Sequence, residues 1–145
     1  MKVAVLYSGG KDSIYALHWA WLQGFRIACL VTVFPRPYSR MYHYPSIEST
    51  LYQAKAMDIP ILYRRAREED DELSLLRKLF IEARDLYGVE GVVAGALLSD
   101  YQRMRISLVA EEAGLKTYTP LWRIDQESYM REVVGNGIRF IITSV

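Results

Sequence analysis

Short β-rich runs alternate with amphipathic helical stretches along the whole chain, and this alternation limits the fold more than any other feature. Lys2–Tyr7 (KVAVLY) reads as a buried strand, followed by a polar turn at Ser8–Ser13 and a helix to Gln23 that Gly24 stops. Ile14, Leu17, His18, Trp21 and Leu22 fall on one face of that helix. Ile27–Phe34 (IACLVTVF) is apolar on both faces, as central parallel strands are. A loop rich in Pro, Arg and Tyr spans 35–45, then a helix runs from about Ser46 to Met57, and Pro60 opens a strand at Ile61–Tyr63. The acidic run Glu68–Glu72 precedes a helix to Tyr87, placing negative charge at the positive end of its dipole, and Gly88 ends it. Val92–Leu98 is read as a strand, Tyr101–Ala113 as a helix stopped by Gly114, and Leu115–Pro120 as a strand. Gln126–Val134 follows as a helix and Phe140–Val145 as a last strand. Such a succession predicts an α/β fold: an open, mainly parallel, doubly wound sheet with helices on both faces. In these folds ligands sit at the carboxyl ends of strands, where strand order reverses.

The residues just after strands are therefore the informative ones. Strand one runs into Tyr7-Ser8-Gly9-Gly10-Lys11-Asp12-Ser13 and then a helix. Without a Cβ, Gly9 and Gly10 let backbone amides turn toward an anion at close range, and the helix adds its N-terminal amides and dipole. Ser8 and Ser13 supply hydroxyls and Lys11 a mobile positive charge. Asp12 can cap the helix or hold a metal ion that bridges phosphates. Two commoner phosphate signatures fail: Val5 stands where a Walker glycine is needed and Asp12 where it needs Ser or Thr. The G-x-G-x-x-G dinucleotide pattern is missing from the first turn.

Strand four is followed by Gly95-Ala96-Leu97-Leu98-Ser99-Asp100-Tyr101-Gln102-Arg103-Met104-Arg105. If the sheet reverses beside strand one, this segment faces the phosphate loop. Gly95 permits close backbone approach, Ser99 or Asp100 caps the helix, and Arg103 and Arg105 offer forked donors to phosphate or carboxylate. The end of strand two, Val31-Thr32-Val33, presents backbone groups to an adenine ring. His43 lies in the loop after that strand, and Trp122 follows strand five as a rim aromatic or pocket wall. Cys29 reads as a packed core thiol.

With 18 Lys plus Arg against 17 Asp plus Glu, the net charge of +1 lacks the basic footprint of a nucleic-acid binder, although Arg64, Arg65 and Arg67 remain local contact points. One cysteine excludes an intrachain disulfide and any multi-thiolate metal site. No apolar run approaches the ~20 residues that span a bilayer, so no membrane partner is expected and the expected compartment is the cytoplasm.

The first loop resembles the SGGxDS loop of the N-type ATP pyrophosphatases, the PP-loop superfamily. YSGGKDS (7–13), MYHYPSI (41–47), GALLSDYQRMR (95–105) and PLWRIDQE (120–127) together resemble one subfamily, the diphthine–ammonia ligases and their close archaeal relatives. Order and spacing agree over essentially the whole chain. The resemblance implies a HUP-type α/β fold that binds ATP or AMP with Mg²⁺. It implies amide formation: the carboxylate of diphthine on translation elongation factor 2 attacks the α-phosphorus of ATP, and ammonia then displaces AMP. Carried onto this sequence, the implied catalytic residues are Lys11, Asp12, Arg103 and Arg105, with Mg²⁺ near Asp12. Ser8, Gly9, Gly10, Lys11, Asp12, Ser13, Thr32 and Gly95 are implied to bind nucleotide, and His43, Ser99, Asp100, Tyr101, Gln102 and Trp122 to bind substrate. Members of that family continue for several tens of residues past the segment like FIITSV (140–145). The expectation is thus a nucleotide-binding domain over 1–145 without the family's C-terminal substrate-binding region. A PP-loop tRNA modification and a nucleotide-binding module without turnover stand as alternatives, and the oligomeric state, homo-oligomer or monomer, stays open.

Overall fold

Among the described residues, five strands pair in parallel: β1 (Lys2–Leu6), β2 (Arg26–Phe34), β3 (Ile61–Arg65), β4 (Gly91–Ala94) and β5 (Lys116–Tyr118). Their order across the sheet is β3-β2-β1-β4-β5. The helices between them are α1 (Lys11–Leu22), α2 (Tyr44–Met57), α3 (Glu72–Tyr87) and α4 (Asp100–Glu112). The structure is a computed structural model that describes residues 1–8, 10–34, 44–67, 69–95, 100–120, 131 and 134–135.

Successive residues of the inner strands point to opposite faces, and both faces are covered. Ala4, Cys29, Val31 and Val92 pack under α3 and α4, against Leu76, Leu79, Phe80, Val109 and Ala110. Val3, Val5, Leu30 and Val93 pack under α1 and α2, against Ala16, Leu17, Ala20 and Ala54. Strands buried on both sides are mostly apolar, which is why β2 reads from Ile27 to Phe34 as a hydrophobic run interrupted by Thr32 alone. Asp71 caps α3 by accepting from the Leu73 amide, a contribution of about 1 kcal/mol, and Gly88 closes it in the left-handed region at φ 69°.

The first strand and third helix end within a residue of expectation, but four features differ. The buried residues of α1 are Ser13, Tyr15, Ala16, Leu17 and Ala20, and of the expected face only Leu17 is buried; Trp21 and Leu22 are 66% and 72% exposed. Ala16 and Ala20, both fully buried, let the helix close down on the sheet. β3 runs two residues beyond its expected end because Arg64 and Arg65 still pair with Val33 and Phe34. β4 stops at Ala94 because Gly95 leaves the ladder to pack against α1, and the remainder of the expected strand, Ala96–Leu98, lies outside the described residues. β5 is likewise shorter than Leu115–Pro120. Except for Arg131, Val134 and Gly135, the expected helix Gln126–Val134 and strand Phe140–Val145 lie outside the described residues.

Two of the arginines considered as contact points also make contacts within the fold: Arg64 pairs with Glu82 of α3 and the Arg65 guanidinium stacks 5.1 Å from the Phe34 ring centroid. Arg67 is exposed, and its backbone amide donates to Asp70 Oδ2 at 2.8 Å. No helix among the described residues is long and apolar enough to cross a membrane.

Candidate functional site

Strand order reverses between β1 and β4: the chain runs outward from β1 through β2 to β3, then crosses to lay β4 on the other side of β1. The carboxyl ends of β1 and β4 therefore open the crevice at which ligands bind in such sheets. The loop after β1 begins with buried Tyr7, whose amide still donates to the Val31 carbonyl at 2.9 Å. Its hydroxyl donates to Gln53 Oε1 at 2.6 Å, which ties α2 to the root of the loop, and burial pushes its pKa up.

Three hydrogen bonds shape the loop from within. The Ser8 amide donates to Ser13 Oγ at 3.3 Å, Ser13 Oγ donates to the Gly10 carbonyl at 3.0 Å, and the Gly10 amide donates to Ser8 Oγ at 3.4 Å. Ser13 is only 4% exposed, so its hydroxyl works as an internal brace. α1 takes Gly10 as its N-cap in an extended conformation (φ −78°, ψ 171°), and a glycine has no side chain to offer the first-turn amides. Lys11 Nζ and Asp12 Oδ1 pair at 2.9 Å at the mouth of the helix. The result is a turn of backbone amides at a positive helix end, with one mobile cation and one carboxylate beside it.

Gly95 is the point at which β4 meets this loop. A Cβ built there would lie 2.5 Å from the Asp12 carbonyl oxygen, 2.7 Å from its carbon and 3.0 Å from the Ser13 nitrogen. Only a glycine lets the two backbones approach this closely. Gly10 is different: a Cβ there meets only Ser8 Oγ, at 3.6 Å, and its φ suits any residue.

Thr32 lies in β2, 4% exposed, one residue beyond the carbonyl that receives the Tyr7 amide and opposite Tyr63 of β3. α4 begins five residues after Gly95, so its first turn stands at the same edge; Arg103 there is half-buried and Arg105 exposed. Asp100, Tyr101 and Gln102 lie in that turn. Gly9, His43, Ser99 and Trp122 lie outside the described residues. The structure thus brings together Ser8, Gly10, Lys11, Asp12, Ser13 and Gly95. Sequence reasoning missed Gln53, because a glutamine within a helix carries no signal of its partner. Cys29 is fully buried in β2, and burial pushes its thiol pKa up to about 12, as befits a core thiol. Among the described residues no group of three or more His, Cys, Asp and Glu could hold a metal ion.

Fold and loop define a doubly wound parallel α/β protein with a glycine–serine loop of the anion-cradling kind at its switch point. The chain overlays on the U34-tRNA thiolase NcsA from Methanococcus maripaludis with a TM-score of 0.55, covering 97% of this chain and 58% of that one at 16% identity, a likeness of PP-loop, HUP-like fold. Residues 1–117 match the diphthamide synthase N-terminal domain family, and the chain belongs to it. The diphthine–ammonia ligase of Rattus norvegicus is 34% identical and that of Homo sapiens 33%, each over the full length of this chain and 62% of its own. The diphthine–ammonia ligase of Schizosaccharomyces pombe is 31% identical over the full chain and 27% of its own length. The chain thus spans about 62% of the mammalian relatives it matches.

Proposed function

We propose that this chain binds ATP at the Ser8–Ser13 loop and serves the amidation of diphthine to diphthamide on translation elongation factor 2. The observation that carries the reading is the contact of Gly95 with Asp12 and Ser13, which seats the loop in the crevice between β1 and β4. The relatives' shared name, diphthine–ammonia ligase, supplies the chemistry. In this reading the substrate carboxylate oxygen attacks the α-phosphorus of ATP and pyrophosphate leaves with the bonding pair. Ammonia nitrogen then attacks the acyl carbon, AMP leaves, and the nitrogen sheds its proton to give the amide.

The first step demands stabilised anions more than acid–base machinery. Backbone amides of the loop, the dipole of α1 and Lys11 meet departing pyrophosphate, and Ser13 holds the loop in shape by bonding the Gly10 carbonyl. Asp12, whose carboxylate pairs with Lys11 at the mouth of α1, suits a Mg²⁺ that arrives on the nucleotide, since this ion binds through one or two carboxylates plus substrate phosphates. When bound, the ion neutralises phosphate charge. In this reading Arg103 and Arg105 of α4 take the α-phosphate and the protein substrate, and Thr32 and Gly95 serve the nucleotide; Asp100, Tyr101 and Gln102, with Ser99, His43 and Trp122 outside the described residues, are assigned to the substrate.

Calorimetric titration with Mg-ATP and AMP tests the binding step, and turnover with diphthine-bearing elongation factor 2 and ammonium tests the reaction. AMP and pyrophosphate are the expected products. ADP and phosphate, or no heat on titration with ATP, would overturn the reading.

A further inference from the structure

At the opposite, amino end of the sheet, where α1 and α2 finish and β2 begins, lies an open groove of about 670 Å³. Leu17, Trp21, Phe25, Ile27 and Met57 form its apolar lining. Trp21 and Met57 are 66% and 38% exposed, and Leu22 next to Trp21 is 72% exposed. Scattered apolar residues on a surface need no explanation, but a tryptophan and a methionine gathered about one concavity do. The nucleotide-type loop is at the carboxyl end of the sheet, so it makes no use of these residues.

We infer that this groove docks an acidic amphipathic helix of a protein partner. Charge sets the choice of occupant. Among the described residues, the ionisable side chains in the lining are His18 and Arg26, both bases, with no carboxylate beside them. An apolar segment carrying Asp or Glu beside its anchors complements that pattern, whereas a basic one is repelled. Exposure sets the scale. Small ligands favour clefts that enclose most of their surface, and a wall as open as Trp21 leaves such a ligand half in water. A helix laid along the groove covers Trp21 and Met57 together, with apolar residues at helical spacing as anchors. Trp and Arg are also the residue types that carry most binding energy at protein interfaces.

The test uses the intact chain and a fluorescein-labelled helical peptide with one leucine face and one glutamate face, alongside its twin with lysine in place of every glutamate. Anisotropy at low salt is expected to show the glutamate peptide bound at least about fivefold more tightly than the lysine twin, the scale of a few surface charge pairs. Arg26→Glu should cancel or reverse that preference, and Trp21→Ala should weaken the glutamate peptide about thirtyfold, as loss of a central anchor does. Both residues are exposed, so circular dichroism and ATP titration should match the parent protein. Equal affinity for the two peptides, failure of the glutamate peptide to bind, or indifference to either substitution would overturn the inference. Because the groove and loop are at opposite ends of the sheet, failure here leaves the ATP reading standing, and loss of ATP binding leaves this one standing.

Discussion

Replacing Gly95 by alanine drives a methyl group into the backbone of the first turn of α1. The new carbon would sit 2.5 Å from the Asp12 carbonyl oxygen, whereas ordinary contact begins near 3.4 Å, so the two must part by about 0.9 Å. Neither neighbour is a flexible side-chain tip; Asp12 O, Asp12 C and Ser13 N are all main chain. Relief must come from moving either the end of β4 or the start of α1, and overpacking of this kind costs about 1–3 kcal/mol. If α1 moves, the amides of the loop move with it, and Ser13 loses register with Ser8 and Gly10, whose bonds to it are already 3.0–3.3 Å long. The expected outcome is a fall in urea-unfolding stability of about 2 kcal/mol and a rise in the ATP dissociation constant of roughly ten- to a hundredfold. Equilibrium urea melts and calorimetry on the same protein sample separate the two effects. An alanine variant with the parent's stability and ATP affinity would refute the packing argument. One that lost stability but kept its affinity would show the strain relieved away from the loop, and would refute the link between Gly95 and the site.

Gly10→Ala should fold with stability within about 1 kcal/mol of the parent, because its Cβ meets only Ser8 Oγ at 3.6 Å, yet should weaken ATP binding at least about tenfold in calorimetry. Asp58 follows the last residue of α2 with a positive φ of 57°, which places a negative residue at the negative end of the helix dipole. Asp58→Gly should therefore raise stability by about 1 kcal/mol and Tm by about 2–4 °C in scanning calorimetry. Cys29 should resist a disulfide-exchange reagent at pH 8 until the chain unfolds, because its thiol ionises only near pH 12. Its folded pKa is raised, so its contribution to stability is full below pH about 9 and is lost as pH climbs toward 12. In urea melts, the stability gap between the parent and Cys29→Ala should shrink over that window by up to about 1.4 kcal/mol per pH unit.

The order of elements and the parallel sheet were legible because a strand buried on both faces is mostly apolar, and Ile27–Phe34 carries apolar residues on both faces with Thr32 as its one polar side chain. Helix stops were legible for a similar reason: Gly24, Gly88 and Gly114 all take positive φ, which other residues adopt only with strain. Asp58 hid because it does the same thing without being a glycine. The face of α1 was misread because hydrophobicity weighed Trp21 and Leu22 above Ala16 and Ala20. Contact distance weighs the other way at Ala16 and Ala20, fully buried where the helix meets the sheet, with Tyr15 and Leu17 as the larger residues that α1 buries beside them.

The site poses a subtler problem, since Gly10 and Gly95 look alike in sequence. Both follow a strand, and both invite the same explanation of close backbone approach. Their surroundings divide them. At Gly95 the protein itself occupies the space a side chain would need, so the residue is demanded by packing whatever the ligand. At Gly10 the backbone angles are ordinary and, among the described residues, a Cβ would meet Ser8 Oγ alone, so no described packing requires a glycine. In the proposed ATP-binding reading the requirement comes from the ligand: a small anion drawn to the amides at the start of α1 is what a Cβ at Gly10 would keep away, and neither polarity nor periodicity along the sequence carries that distinction.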